Sequence, residues 1–307
     1  MSDPINKAES ERLLKLATRA SVVTATVLII AKLGAYWQTG SVSILASLID
    51  SLMDAAASII NLLAVSYALA PPDEDHRFGH GKAESLAGMA QATFIAGSGL
   101  FLIVEAIQRL VNPQPIEAFG VGMGVMIFSI IATLILISIQ RHVINKTNST
   151  AIRADALHYK TDLFTNAAII AALLLSQFGW LGMDPLFALA IAAYILYSAW
   201  GIGSEAFHDL LDRELPDEKR QQIINIAKNH PEVHGMHDLR TRLSGRTEFI
   251  QMHIELDDEL PLIKAHEIAD QVEAQVMLVF PTADVVIHLD PISAVDLETL
   301  PLFKRED

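Results

Sequence analysis

Six apolar stretches, each long enough to cross a bilayer, fill the first two thirds of the chain. They run at about 16–37, 41–69, 83–111, 118–141, 151–177 and 184–208, and a spanning helix needs about 20 such residues. The fifth stretch differs from the others, because Arg153, Asp155, His158, Lys160 and Asp162 crowd its first turns. A helix that opens this way suits a bundle interior or the wall of a water-filled cavity. The pattern predicts a polytopic α-helical membrane domain of six helices over residues 1–212.

After about residue 209 the periodicity changes. Pro216, Asp217 and Glu218 open a helical pattern that reaches Asn229. His237 to Leu243 reads as a strand, followed by a turn at Ser244-Gly245. Glu248 to Leu256 alternates, with Ile250, Met252, Ile254 and Leu256 on one face. Pro261 starts a further helix to about Phe280, and Asp284 to Asp290 reads as a third strand. Helix, strand, strand, helix, strand predicts a small α+β domain over residues 213–307.

Charge sets the orientation. Lys7, Arg12, Lys15 and Arg19 precede or open the first span, Arg77 and Lys82 follow the second, and Arg141, Lys146 and Arg153 follow the fourth. The turns near residues 38–40, 112–117 and 176–184 carry no Lys or Arg. By the positive-inside rule both termini are cytoplasmic, and the polar first dozen residues do not resemble a cleavable signal peptide. The net charge of −14 disfavours nucleic-acid binding. With no cysteine in the chain, disulfides and thiolate metal sites are excluded.

The candidate chemistry lies where the hydrophobic pattern is broken. Asp50 and Asp54 sit in A-S-L-I-D-S-L-M-D, and His158 and Asp162 in L-H-Y-K-T-D. Each pair is spaced i,i+4 and projects from one helix face. A carboxylate near the bilayer centre costs roughly 2.5–3.5 kcal/mol on insertion scales, so three of them beside a histidine call for a use. Together the four close a shell of three oxygens and one nitrogen, suited to zinc and also to cadmium, cobalt or ferrous iron. The plainer alternative is four unrelated polar residues lining a crevice. Three neighbouring carboxylates repel one another, and either a divalent cation or protons relieve that repulsion, so metal and protons compete for the site.

Two further clusters lie outside the apolar stretches. Asp73, His76 and His80 fall within eight residues of one loop and can reach one metal; a solvated polar loop with Gly79 and Gly81 as turn residues is the alternative. In the α+β domain, His288 and Asp290 share a strand face, His253 lies on the polar face of its strand with Gln251 and Glu255, His237 opens the preceding strand, and His266 begins the last helix. Taken singly each is a surface residue; together they make a candidate metal cluster. His266-Glu267 does not continue as H-E-x-x-H, because position 270 is Asp. Lys32, alone in an apolar stretch, reads as a snorkelling side chain.

These residues carry a resemblance. G-S-V-S-I-L-A-S-L-I-D-S-L-M-D at 40–54, H-R-F-G-H-G-K-A-E-S-L-A at 76–87, R-A-D-A-L-H-Y-K-T-D at 153–162, L-L-D-R-E-L-P-D-E at 210–218 and V-V-I-H-L-D-P at 285–291 resemble the cation diffusion facilitators over nearly the whole chain. The resemblance implies a homodimer in the bacterial inner membrane, with six helices per subunit and a cytoplasmic metallochaperone-like domain. It implies a proton-coupled antiporter exporting zinc, and also cadmium, ferrous iron or cobalt, with zinc both bound and transported. Asp50, Asp54, His158 and Asp162 match the transport site, and Asp73, His76 and His80 the loop site. His237, His253, His266, His288 and Asp290 match a binuclear cytoplasmic site, with Asp290 able to bridge two ions. Lys82 and Asp212 match a charged pair at the junction of the two domains. A membrane-embedded metalloenzyme and a metal sensor are the competing readings. Catalytic zinc keeps an open position beside three protein ligands, whereas four candidate ligands on two helices favour a closed shell.

Overall fold

The structure is a computed structural model of the chain, described here over residues 7–39, 42–111, 121–177 and 183–295. It divides into two compact units, Met1–Phe207 and His208–Asp307. The first holds helices α1 (Lys7–Thr39), α2 (Val42–Ala68), α3 (Lys82–Val111), α4 (Val121–Thr147), α5 (Thr150–Gln177) and most of α6 (Met183–Leu210). Most of the turns expected after the first, third and fifth spans lie outside the described residues.

Among the described residues, five of these helices, α1, α2, α3, α4 and α6, are long and apolar enough to cross a membrane. The first half of α5 is polar, and its packing accommodates that. Ala151, Ile152, Ala154, Asp155, Ala156, Leu157, His158 and Tyr159 are all buried, so the first half of α5 meets protein on nearly every side and need not be apolar toward lipid. Asn148 in the left-handed region (φ 52°) ends α4, and the Ser149 hydroxyl accepts the Ile152 amide at 3.2 Å, capping α5. Leu14, Ala17, Val65, Val143, Ala151 and Ile152 bring α1, α2, α4 and α5 into one apolar cluster. Ile95, Leu157, Ile195 and Ala199 join α3, α5 and α6 in another.

A polar knot lies beside these clusters. Asp155 is fully buried and accepts three hydrogen bonds, from Ser21 Oγ at 2.5 Å, Gln140 Nε2 at 2.7 Å and Gln91 Nε2 at 3.1 Å. Three donors satisfy a carboxylate that would otherwise be costly to bury. They also tie α5 to α1, α4 and α3. Tyr159 extends the network, donating to the Ser21 carbonyl and meeting Ser58 of α2 at 2.9 Å.

The second unit contains α7 (Asp217–Lys228), β1 (Gly235–Ser244), β2 (Thr247–Leu256), α8 (Leu262–Val279), β3 (Asp284–Pro291) and a short 3-10 turn (Ile292–Ala294). The sheet order is β1-β2-β3, with β1 antiparallel and β3 parallel to β2. Gly245 (φ 61°) takes the left-handed position of the two-residue turn joining β1 to β2. Ile250, Met252, Ile254 and Leu256 turn to the face covered by α7 and α8, where they meet Ile223, Ile224, Ile268, Val272 and Val276. The alternate residues of β2 therefore face the other way.

Candidate metal centres

In the first unit, α2 and α5 bring together a carboxylate, an imidazole and a second carboxylate. One ligand atom each from Asp54, His158 and Asp162 lies within 4.8 Å of the other two. His158 Nε2 is 2.8 Å from Asp54 Oδ1, and both side chains are buried. The i,i+4 spacing puts His158 and Asp162 on one face of α5, as expected. Asp50 lies one turn from Asp54 on α2; it is more exposed and is not part of this closest group.

Lys32 departs from the sequence reading. It does not snorkel along α1. It is 7% exposed and turns into α2, where Nζ donates to Ser51 Oγ at 2.6 Å and to the Ser47 carbonyl at 3.0 Å. Snorkelling serves a cation with only lipid around it, and here a neighbouring helix supplies the acceptors.

The loop between α2 and α3 gathers Asp73, His76 and His80 within the same 4.8 Å limit. Asp73 Oδ1 lies 3.2 Å from His76 Nδ1, and Asp73 Oδ2 lies 3.1 Å from His80 Nε2. The His76 amide also donates to Asp73 at 2.6 Å. That amide bond holds the exposed Asp73 carboxyl below its ordinary range. Gly79 (φ 79°) gives the loop its tight return, and Tyr67 packs on the rings of His76 and His80.

The third cluster follows from strand register. His237 pairs with His253 across β1 and β2, and His253 with His288 across β2 and β3, so one cross-strand row holds three histidines. The row beside it reads Gly235, Glu255, Asp290. Asp290 Oδ2 lies 2.7 Å from His253 Nδ1 and 3.3 Å from His237 Nε2, while its Oδ1 lies 3.1 Å from His288 Nε2. His237, His253 and Asp290 form the tightest group. The donors present, imidazole nitrogens and a carboxylate, fit zinc and its borderline neighbours. His266 is not brought in. It sits on α8, which covers the opposite face of the sheet, and its exposed ring lies 3.6 Å from Asp270.

Two residues at this cluster escaped sequence reasoning. Glu255 is 2% exposed, and its Oε1 lies 3.1 Å from His237 Nδ1. Gly235 makes room for it, since a Cβ at 235 would run into the Glu255 carboxyl. Asp238, at a bulge in β1 with φ 48°, lies 3.7 Å from His253 Nε2. Alternation along β2 places Glu255 on the histidine face, but only the cross-strand register puts it beside His237. Of the junction pair, Lys82 opens α3, and Asp212 accepts from Arg242 at 3.3 Å within its own unit.

The model of the cation efflux transmembrane domain matches residues 18–211, and that of the cation efflux protein cytoplasmic domain matches residues 215–292. The chain is 54% identical over 294 residues to a cation-efflux pump FieF of Klebsiella pneumoniae, covering 96% of this chain and 98% of that one. It is also 54% identical over 287 residues to a cation-efflux pump FieF of Salmonella choleraesuis, covering 94% and 96%. Among solved structures, the metal-bound C-terminal domain of the CzcD transporter from Thermotoga maritima aligns at 29% identity and a TM-score of 0.25, covering 26% of this chain and 93% of that one. Two adjoining family matches and near-full-length identity to efflux pumps establish that the chain belongs to the cation efflux family, as a multi-pass membrane transporter of metal cations and not an enzyme.

Proposed function

We propose that the protein exports divalent cations from the cytoplasm in exchange for protons, with zinc the principal cargo and cadmium, ferrous iron and cobalt also accepted. The observation that carries this reading is the Asp54, His158 and Asp162 group, set between two helices of the bundle. Asp50, one turn along α2, completes four donors when the cation binds. Three carboxylates and one imidazole suit a borderline divalent ion. When the ion leaves, the same groups repel one another until they take up protons, which makes the protons the returning load.

The loop cluster of Asp73, His76 and His80 and the cytoplasmic cluster of His237, His253, His288 and Asp290 bind metal off the transport path, with His266 adding to the latter when subunits pair. The protein works as a homodimer in the bacterial inner membrane, with both termini in the cytoplasm and the soluble domain beginning at about residue 213. Lys and Arg placement supports this orientation.

The test is zinc flux in proteoliposomes with and without an imposed pH gradient, at clamped membrane potential. A gradient directed against zinc movement is expected to accelerate flux, with zinc-linked proton movement that disappears in Asp54→Ala. Flux indifferent to the gradient, without proton movement, overturns antiport. Unimpaired flux in Asp54→Ala overturns the site.

A further inference from the structure

We infer that Lys32 is a fixed counter-charge of the α2–α5 cation site, setting the site's net charge to match a single divalent ion. This rests on the transport-site reading above and adds a residue to it.

The geometry is specific. Lys32 is buried on α1, and among the described residues its hydrogen bonds reach α2, to Ser51 Oγ at 2.6 Å and Ser47 O at 3.0 Å. Ser51 follows Asp50 and lies three residues before Asp54, and residues so spaced are neighbours on a helix. Both Ser51 and Asp54 are buried, so the ammonium is anchored on the part of α2 that carries the carboxylates. The two α2 acceptors are a hydroxyl and a carbonyl, so Lys32 is tethered beside the site while the ligand oxygens stay available to a cation.

The charge arithmetic gives this a function. Three carboxylates alone hold a formal charge of about −3, and Lys32 reduces it to about −2. One divalent ion then brings the site to about zero, whereas a monovalent ion leaves about −1. In a low-dielectric bundle, residual charge is costly. The lysine therefore favours divalent over monovalent cargo. It also weakens the hold on the bound ion, which helps a carrier that must release it.

The experiment measures equilibrium zinc and cadmium binding to the full-length protein at fixed pH in wild type, Lys32→Gln, Lys32→Met and Lys32→Arg. Binding that depends on Asp54 is isolated by difference from Asp54→Ala. Size-exclusion profiles and thermal melts identify any variant that fails to fold. Lys32→Gln can keep a hydrogen bond to Ser51 without the charge, so it remains informative if Lys32→Met is lost. The expected result is at least a tenfold rise in Asp54-dependent affinity in Lys32→Gln, slower zinc release, and near-wild-type affinity in Lys32→Arg. Unchanged or weaker affinity in Lys32→Gln overturns the counter-charge role. Absence of any Asp54-dependent binding in wild type overturns the transport site instead.

Discussion

Replacing Glu255 should loosen the proposed metal centre of the α+β domain without touching a ligand. The Glu255 carboxylate lies 3.1 Å from His237 Nδ1, and both side chains are almost fully buried. With the Nδ1 proton donated to Glu255, His237 would present Nε2, 3.3 Å from Asp290 Oδ2, as the nitrogen for the proposed metal. Partners of this kind fix ring orientation and raise ligand basicity, and their loss typically lowers metal affinity by about 10–100-fold. That corresponds to about 1.4–2.8 kcal/mol. Glu255→Gln keeps an acceptor oxygen and loses the charge, so it belongs at the low end. Glu255→Ala removes both and leaves a buried N–H without its acceptor, a further cost of about 1–3 kcal/mol to the folded domain. Gly235→Ala offers an independent perturbation, since the added methyl displaces the same carboxyl. The assay is zinc titration calorimetry on the full-length protein, with the cytoplasmic component identified by its loss in Asp290→Ala. Affinities within twofold of wild type in Glu255→Ala and Gly235→Ala would refute the reasoning.

His158 supplies the only nitrogen ligand of the proposed α2–α5 site, so His158→Asp should weaken discrimination against manganese, a harder ion; competition flux with zinc and manganese checks this, and an unchanged profile would place selectivity elsewhere. Asp258 accepts the Ser293 amide at 3.0 Å at the 3-10 turn, and this bond holds its carboxyl below the ordinary aspartate value. The sign follows from a lowered folded pKa: the contact's contribution is complete above the ordinary value of about 3.9 and is lost as pH falls through the lower one. Carboxyl NMR of Asp258 should give a midpoint below about 3.9, and a midpoint at or above it would refute the contact.

Much of the fold was legible because it rests on one-dimensional periods. The apolar runs became α1 to α6, and the alternation from Ile250 to Leu256 became the core face of β2. What local pattern could not supply was partnership between distant segments. Lys32 read as a snorkelling cation because nothing near it in sequence shows that α2 offers Ser47 and Ser51. Asp155 read as part of a polar helix start, yet its three donors come from α1, α3 and α4. Of the two i,i+4 pairs, three members converge and Asp50 stays more exposed, a difference set by the approach of α5 to α2 and invisible in spacing. In the soluble domain, residue types marked the histidine cluster. Only the sheet shows that His266 stands on the helix-covered side while Glu255 supports His237.

The row His237, His253, His288 crosses all three strands, so a metal bound as proposed would act as a proofreader of the sheet. A slip of one residue in β2 would turn His253 under the helices and bring Ile250, Met252 and Ile254 to the surface. A chain folded in that register would be sticky, and it would also lack the array of donors needed to hold an ion. Metal uptake would then stabilise only the correctly paired sheet, by mass action. Newly made protein would acquire its final register most faithfully when the cytoplasm is rich in the ion it exports, so the supply of sound pumps would rise with the demand for them.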